Sequence, residues 1–333
     1  MSEEKKFVAP GPLNSAVLFL VFNRLDTTKQ VFEAIREAQP PRLYIAADGA
    51  RSNEEGESDA VAVVRSYILE NVDWACEVRT LFRDDNLGCK KAVSGAITWF
   101  FETESQGIIL EDDCLPVQSF FWYCEELLNK YKDDDSVSLI SGDARGPEHI
   151  DMVEDYSFCK YPMIWGWASW ARVWKDYDVT IASWATQKDY LPSLVSENKG
   201  TQRFWLDTFN KMYSNKIDTW DYQLSYLLLT TNGKCIVPKL NQITNVGFGD
   251  GATHTFDEDS IFANRKSFIL SLPLNHDMIT PESEIKINRF YDENEFTKKT
   301  VALRVIFRIV NMFFKKNIFD RMVNILKGLR LKC

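Results

Sequence analysis

The chain lacks the usual marks of a zinc protein. Its seven cysteines (76, 89, 114, 124, 159, 235 and 333) are odd in number, with no Cys-x-x-Cys pair and no zinc-site spacing. Free thiols in a reducing cytosol are the simplest account. It also lacks a long apolar run, since none approaches the ~20 residues that cross a bilayer. The run Ala16 to Phe22 is short, and Asn23-Arg24-Leu25-Asp26 follows it with no small-residue cleavage site, so no signal peptide is expected. An excess of base is missing as well. There are 39 Lys and Arg against 48 Asp and Glu, a net charge of −9. An acidic body argues against general nucleic-acid binding, which needs bases to neutralise phosphate. No internal repeat and no low-complexity linker is present.

What is there suffices for a core. Of the 333 residues, 45% are hydrophobic and 13% aromatic, so wholesale disorder is excluded. The charge is unevenly spread. Residues 297–333 carry ten Lys or Arg and one Asp, a net +9, which leaves the body at −18.

The chain centres on Ile108-Ile109-Leu110-Glu111-Asp112-Asp113. A short apolar run reads as a buried strand. Three adjacent acids cannot be buried with it unpaired. The strand therefore ends at a surface, where the acids meet water, a cation or a positive ligand. Acids at such an end suit a hard divalent metal, Mn²⁺ or Mg²⁺, on oxygen ligands. A solvated acidic turn is the plain alternative.

Around this stretch, strand and helix patterns alternate. Strands are expected at 16–22, 42–47, 77–82 and 108–110, with helices at 27–38, 58–71 and 90–103. This is the pattern of a doubly wound, mostly parallel α/β sheet with flanking helices. Its carboxyl strand ends bind ligands in open sheets, so residues 23–26, 48, 86–88 and 111–113 are expected along one edge. After about residue 145 the pattern changes. An aromatic segment, Tyr156 to Trp174, precedes helices near 199–214 and 219–231 and a strand at 234–238. The organisation expected is a polar segment 1–14, one domain 15–296 with a nucleotide half (15–145) and an acceptor half (146–296), and a helical tail 297–333.

Asp48, the Glu111-Asp112-Asp113 run and Trp220-Asp221 occur in an order that resembles the GT-A fold nucleotide-sugar glycosyltransferases. Among these it resembles the N-acetylglucosaminyltransferase I-like family, whose metal motif is also Glu-Asp-Asp. The resemblance covers roughly residues 15–256 and rests on motif order. It implies that Asp113 ligates a metal bridging the phosphates of a UDP-sugar, with Glu111 and Asp112 nearer the ribose and sugar. It implies that Asp48 accepts from the base and that Asp221 is the general base of an inverting transfer. Asp48-Gly49 also reads as an ordinary turn, and Asp221 as a helix cap. Asn23 and Arg24, after the first strand, are candidates for base or phosphate. Asn86-Leu87-Gly88-Cys89-Lys90 resembles the Asn-x-Gly segment before a nucleotide-flanking helix, which makes Asn86 and Lys90 candidates; a plain turn fits equally. Trp165-Gly166-Trp167 could wall a sugar pocket, with at least one Trp in the wall and others in the core. His254, in the glycine-rich loop 245–255, could reach the metal or the diphosphate; an exposed loop His is the alternative.

In the tail, Arg304, Arg308, Asn311 and Lys315 share one helical face and apolar residues fill the rest, the pattern of an interfacial helix on an anionic membrane. A helix packed on the body or on a second subunit is the alternative. The expected protein is a cytoplasmic glycosyltransferase, peripheral at the inner membrane face, acting on a glycan or lipid-linked glycan. Its rivals are a nucleotidyltransferase of sugar phosphates, which would normally show a Gly-rich basic signature after the first strand, and a non-catalytic glycan- or membrane-binding module.

Overall fold

The computed structural model describes residues 7–145, 152–248, 265–276 and 279–296. The chain divides into two compact units. The first comprises Met1–Ala185 and Phe209–Asn288; the second comprises Thr186–Thr208 and Arg289–Cys333. In the second, Asp292 accepts from the hydroxyls of Ser196 (2.7 Å, on its carboxylate) and Thr201 (2.8 Å, on its carbonyl).

The elements run β1 (Ala16–Val21), α1 (Leu25–Ala38), β2 (Arg42–Ala47), α2 (Glu57–Asn71), β3 (Glu77–Phe82), α3 (Gly88–Phe101), β4 (Gln106–Glu111), β5 (Cys114–Pro116), α4 (Ser119–Lys130) and β6 (Val137–Ser141). They continue β7 (Tyr156–Cys159), β8 (Trp167–Trp170), α5 (Ala171–Trp174), α6 (Trp184–Gln187), α7 (Leu191–Val195), α8 (Lys199–Tyr213), α9 (Asp221–Thr231), β9 (Lys234–Pro238), β10 (Ile243–Asn245) and α10 (Pro281–Asn294).

Eight strands form one mixed sheet in the order β3-β2-β1-β4-β8-β6-β9-β7. β3, β2, β1 and β4 are mutually parallel, whereas β8 runs antiparallel to both β4 and β6. The α/β expectation is met. β1 is buried along its whole length, as a central parallel strand covered on both faces must be. Helix α1 keeps Val31, Ala34, Ile35 and Ala38 buried. It stops where Gln39 turns left-handed (φ 51°) and donates its N–H to the Ile35 carbonyl, just before Pro40-Pro41. Helix α3 begins two residues earlier than its apolar pattern suggests. The Asp48 carboxylate accepts from the N–H groups of Leu87 and Gly88 (2.9 and 3.1 Å), a cap supplied by another strand end.

Register sets the working edge. Leu20 pairs with Glu111, Val21 with Ala47, and Ala47 with Phe82. Four parallel strands therefore finish level, and the residues after them emerge together. β8 enters this edge in the opposite sense: Trp167 pairs with Ile109 and Trp170 with Gln106. Trp165 thus lies on the same edge as the acids, while Trp167 and Trp170 are strand residues.

Candidate functional site

A cleft of about 820 Å³ opens on that edge. Its lining includes Arg24, Asp48, Asn86, Gly88, Glu111, Asp112, Asp113, Trp165 and Asp221, gathered from six places in the sequence. The strand-end clustering expected from β-α alternation is present.

The acids are organised by one cation. Nη2 of Arg24 donates to Asp112 Oδ1 (2.7 Å) and to Asp113 Oδ2 (2.9 Å), and Nη1 donates to the Gly247 carbonyl (3.3 Å). Burial works against the Arg24 charge, but the two carboxylates outweigh it and hold the guanidinium firmly protonated. Burial raises Asp112 to about 6, with Arg24 opposing and Asp113 adding to the rise. Burial also pushes Glu111 well above the usual carboxylate range, and the charges of Asp113, Asp112 and Asp221 push it further. The Asp112 Oδ2 atom is buried without a hydrogen-bond partner among the described residues.

The strand β10 locks the second acid in place. Asn245 pairs with Cys114, and the N–H of Val246 donates to the Asp113 carbonyl (2.8 Å). A Cβ on Gly247 would lie 2.2 Å from Asp113 Oδ2 and 2.7 Å from Arg24 Nη1, so this position must be glycine for the cluster to close.

These residues fit a divalent cation shared with a ligand. Among the described residues no three of His, Cys, Asp and Glu converge into a closed ligand set. Mg²⁺-type ions are commonly held by one or two carboxylates plus substrate phosphates. Asp113 and the orphaned oxygen of Asp112 supply such a partial set. His254 lies outside the described residues.

Asp221 is the first residue of α9, where anions are stabilised. The Thr219 hydroxyl donates to its Oδ1. Its position is built from behind: Trp220 stacks on Trp167 (5.7 Å, 21°), and the Tyr177 hydroxyl donates to the Trp220 carbonyl (2.9 Å).

The other expected residues divide. Trp165 is half-buried in the cleft wall, with the Arg145 guanidinium 4.6 Å from its ring and Phe248 against its edge. Trp167 is 1% exposed and belongs to the core, which corrects its expected place in a sugar wall. Gly166 is also behind the wall. Its φ is +61°, and a Cβ there would lie 2.4 Å from Ile243 Cδ1. Asn23 does not line the cleft; its side chain donates to Glu57 (2.8 Å), which also binds Arg51. Lys90 turns to Asn215 (2.8 Å) and is absent from the lining. Asn86 lines the cleft while donating to the Gly49 carbonyl (2.7 Å).

Several lining residues escaped the sequence reading. Arg83 follows β3 and could have been found by the same strand-end rule. Its charge is disfavoured by burial, with Asp48 opposing. Arg51, Asp218, Tyr222 and Asn245 also line the cleft, but they come from loops, a helix start and the end of the short strand β10, with no local signature. Cys89 lines it too, its thiol pushed up to about 12 by burial and by the charge of Glu111.

No family model matches the chain, and no curated protein matches it in sequence. Solved structures overlap it loosely. A mannosyltransferase from Pyrobaculum calidifontis, in complex with GDP-Man and Mn²⁺, is 13% identical, with 68% of this chain and 76% of that chain covered and a TM-score of 0.37. A galactosyltransferase in complex with donor and acceptor sugar analogs is 12% identical, with 83% and 94% covered and a TM-score of 0.33. A UDP-glucose pyrophosphorylase is 10% identical, with 70% and 93% covered and a TM-score of 0.37. Overlaps this loose assign no family, and the likeness to the N-acetylglucosaminyltransferase I-like family is one of motifs alone.

Proposed function

We propose that the chain is a metal-dependent, inverting glycosyltransferase that moves a sugar from a UDP-sugar to a glycan acceptor. The observation that carries this reading is the Arg24–Asp112–Asp113 cluster and Asp221 lining one cleft at the carboxyl ends of parallel strands. That edge is where open α/β sheets bind nucleotides. Asp113, with Asp112, would hold Mn²⁺ or Mg²⁺, and Arg24 would face the diphosphate. The metal, when bound, supplies Lewis-acid stabilisation of the leaving diphosphate. Asp221 takes the proton of the acceptor hydroxyl as its oxygen attacks the anomeric carbon. The bond from that carbon to the phosphate oxygen breaks, and UDP leaves. Trp165 offers an aromatic face to a sugar ring.

The acceptor class follows from the tail. Residues 297–333 lie outside the described structure, and their basic amphipathic pattern supports a place on an anionic membrane and a lipid-linked glycan as acceptor. No described helix is long and apolar enough to cross a membrane. The reading includes a cytoplasmic location at the inner membrane face. The test is UDP release from a panel of UDP-sugars mixed with lipid-linked and free glycan acceptors, with Mn²⁺ and with EDTA. Release with Mn²⁺ alone supports the reading, and no release from any donor and acceptor pair under either condition overturns it.

A further inference from the structure

We infer that Arg24 makes metal and diphosphate binding interdependent: it occupies the acid pair as a counter-ion and yields it to a divalent cation when a diphosphate draws the guanidinium away. The inference rests on the nucleotide-diphosphate reading of the cleft for its second half only. The first half stands on the cluster itself.

One Arg24 nitrogen, Nη2, contacts oxygens of both acids, at 2.7 and 2.9 Å. Among the described residues no other cationic side chain bonds Asp112 or Asp113. All three partners are well covered, with side-chain exposures of 27%, 8% and 14%. Screening by water is therefore weak, and a charge near this pair is felt strongly. A divalent cation held by both acids must either share them with the guanidinium or displace it. Sharing sets three positive charges against two carboxylates. Displacement from both acids leaves a largely covered guanidinium with only the Gly247 carbonyl of its present partners, which is costly unless another anion receives it.

A diphosphate is that anion. Arginine matches phosphate oxygens with its planar fork. Once Arg24 turns to phosphate, the charge already on the acid pair is free for a metal, and the same phosphates would complete the metal's ligands. The coupling is reciprocal by linkage, so the metal strengthens diphosphate binding by the factor with which diphosphate strengthens metal binding.

The test is Mn²⁺ binding without nucleotide, read from the electron paramagnetic resonance signal of free Mn²⁺. Arg24→Gln is expected to bind Mn²⁺ tighter than the unaltered chain by ~5-fold or more, the lower end of ordinary coupling factors. Arg24→Lys, which keeps a charge but loses the fork, is expected between the two. A Mn²⁺ affinity in either folded variant no higher than that of the unaltered chain overturns the inference. The nucleotide reading is tested apart from it, by UDP and Mn²⁺ together on the unaltered chain. Synergy there that shrinks in Arg24→Gln supports both. Tighter metal binding in the variant with no UDP effect keeps Arg24 as the counter-ion and removes the nucleotide.

Discussion

The two ends of the cleft are built differently. At the β1–β4 end, charged side chains hold one another, Arg24 binding Asp112 and Asp113, while Glu111 beside them has no bonded cation among the described residues. At the β2–β3–α3 end, Asp48, Asn86 and Arg65 are tied to backbone, while Arg51 pairs with the Glu57 side chain. Asp48 accepts from Leu87 and Gly88, Asn86 donates to Gly49, and Arg65 donates to the carbonyls of Asp48 (2.9 Å) and Arg83 (2.6 Å). Side chains that hold each other can be redirected by a ligand; side chains that hold backbone fix a shape. The first end is suited to charge that changes during a reaction and the second to a constant ligand part such as a base. The contrast implies that substitutions at the acid end cost turnover, whereas those at the other end cost stability and donor affinity first.

Asp221, whose charge bears on Glu111, belongs with the acid end, and Asp221→Asn is the sharpest test of that contrast. Turnover should fall by ~10²–10⁴, the usual worth of a positioned general base, with donor affinity kept. Loss of donor binding in titration calorimetry would make Asp221 structural. Asp113→Ala should lower metal-dependent turnover by ~10³ or more, since a Lewis-acid metal supplies several kcal/mol. Activity that survives in Mn²⁺ assays would break the metal assignment.

Next come the two tryptophans on either side of Gly166. Trp167→Ala should destabilise the fold by ~3–5 kcal/mol in denaturant unfolding, as deletion of a buried Trp does. Trp165→Ala should raise the KM for donor or acceptor and leave the unfolding midpoint nearly in place. Equal stability losses would erase the distinction between wall and core. The smallest effect is expected at Asp48. Asp48→Ala should cost ~0.5–2 kcal/mol of stability through the lost cap on the start of α3, with a weaker donor KM. An unchanged melting temperature would show that the cap is dispensable.

Much of this was legible in the chain. The alternation of buried runs with helical faces located β1 to β4, and strand-end logic placed Arg24, Asp48 and the acid run on one edge. It failed where partners are distant in sequence. Trp167 could not be told from Trp165 locally, because the difference is that Trp167 pairs with Ile109 inside the sheet. The role of Gly247 depends on β10 returning beside β5 to reach Asp113, which no periodicity reveals. Asn23 and Lys90 carry the right chemistry at the right strand and helix ends, but Glu57 and Asn215 engage them instead.

Every role proposed for the cleft depends on its binding a UDP-sugar through a metal held at the acid pair. The direct measurement is the melting temperature of the full chain with UDP-sugars, and with GDP-, CMP- and dTDP-sugars for comparison, each with Mn²⁺ and with EDTA. A ligand bound to the native state at 100 times its Kd adds about 2.7 kcal/mol of stability. A rise for UDP-sugars that needs Mn²⁺ is expected. No rise for any UDP-sugar, or an equal rise in EDTA, would contradict it.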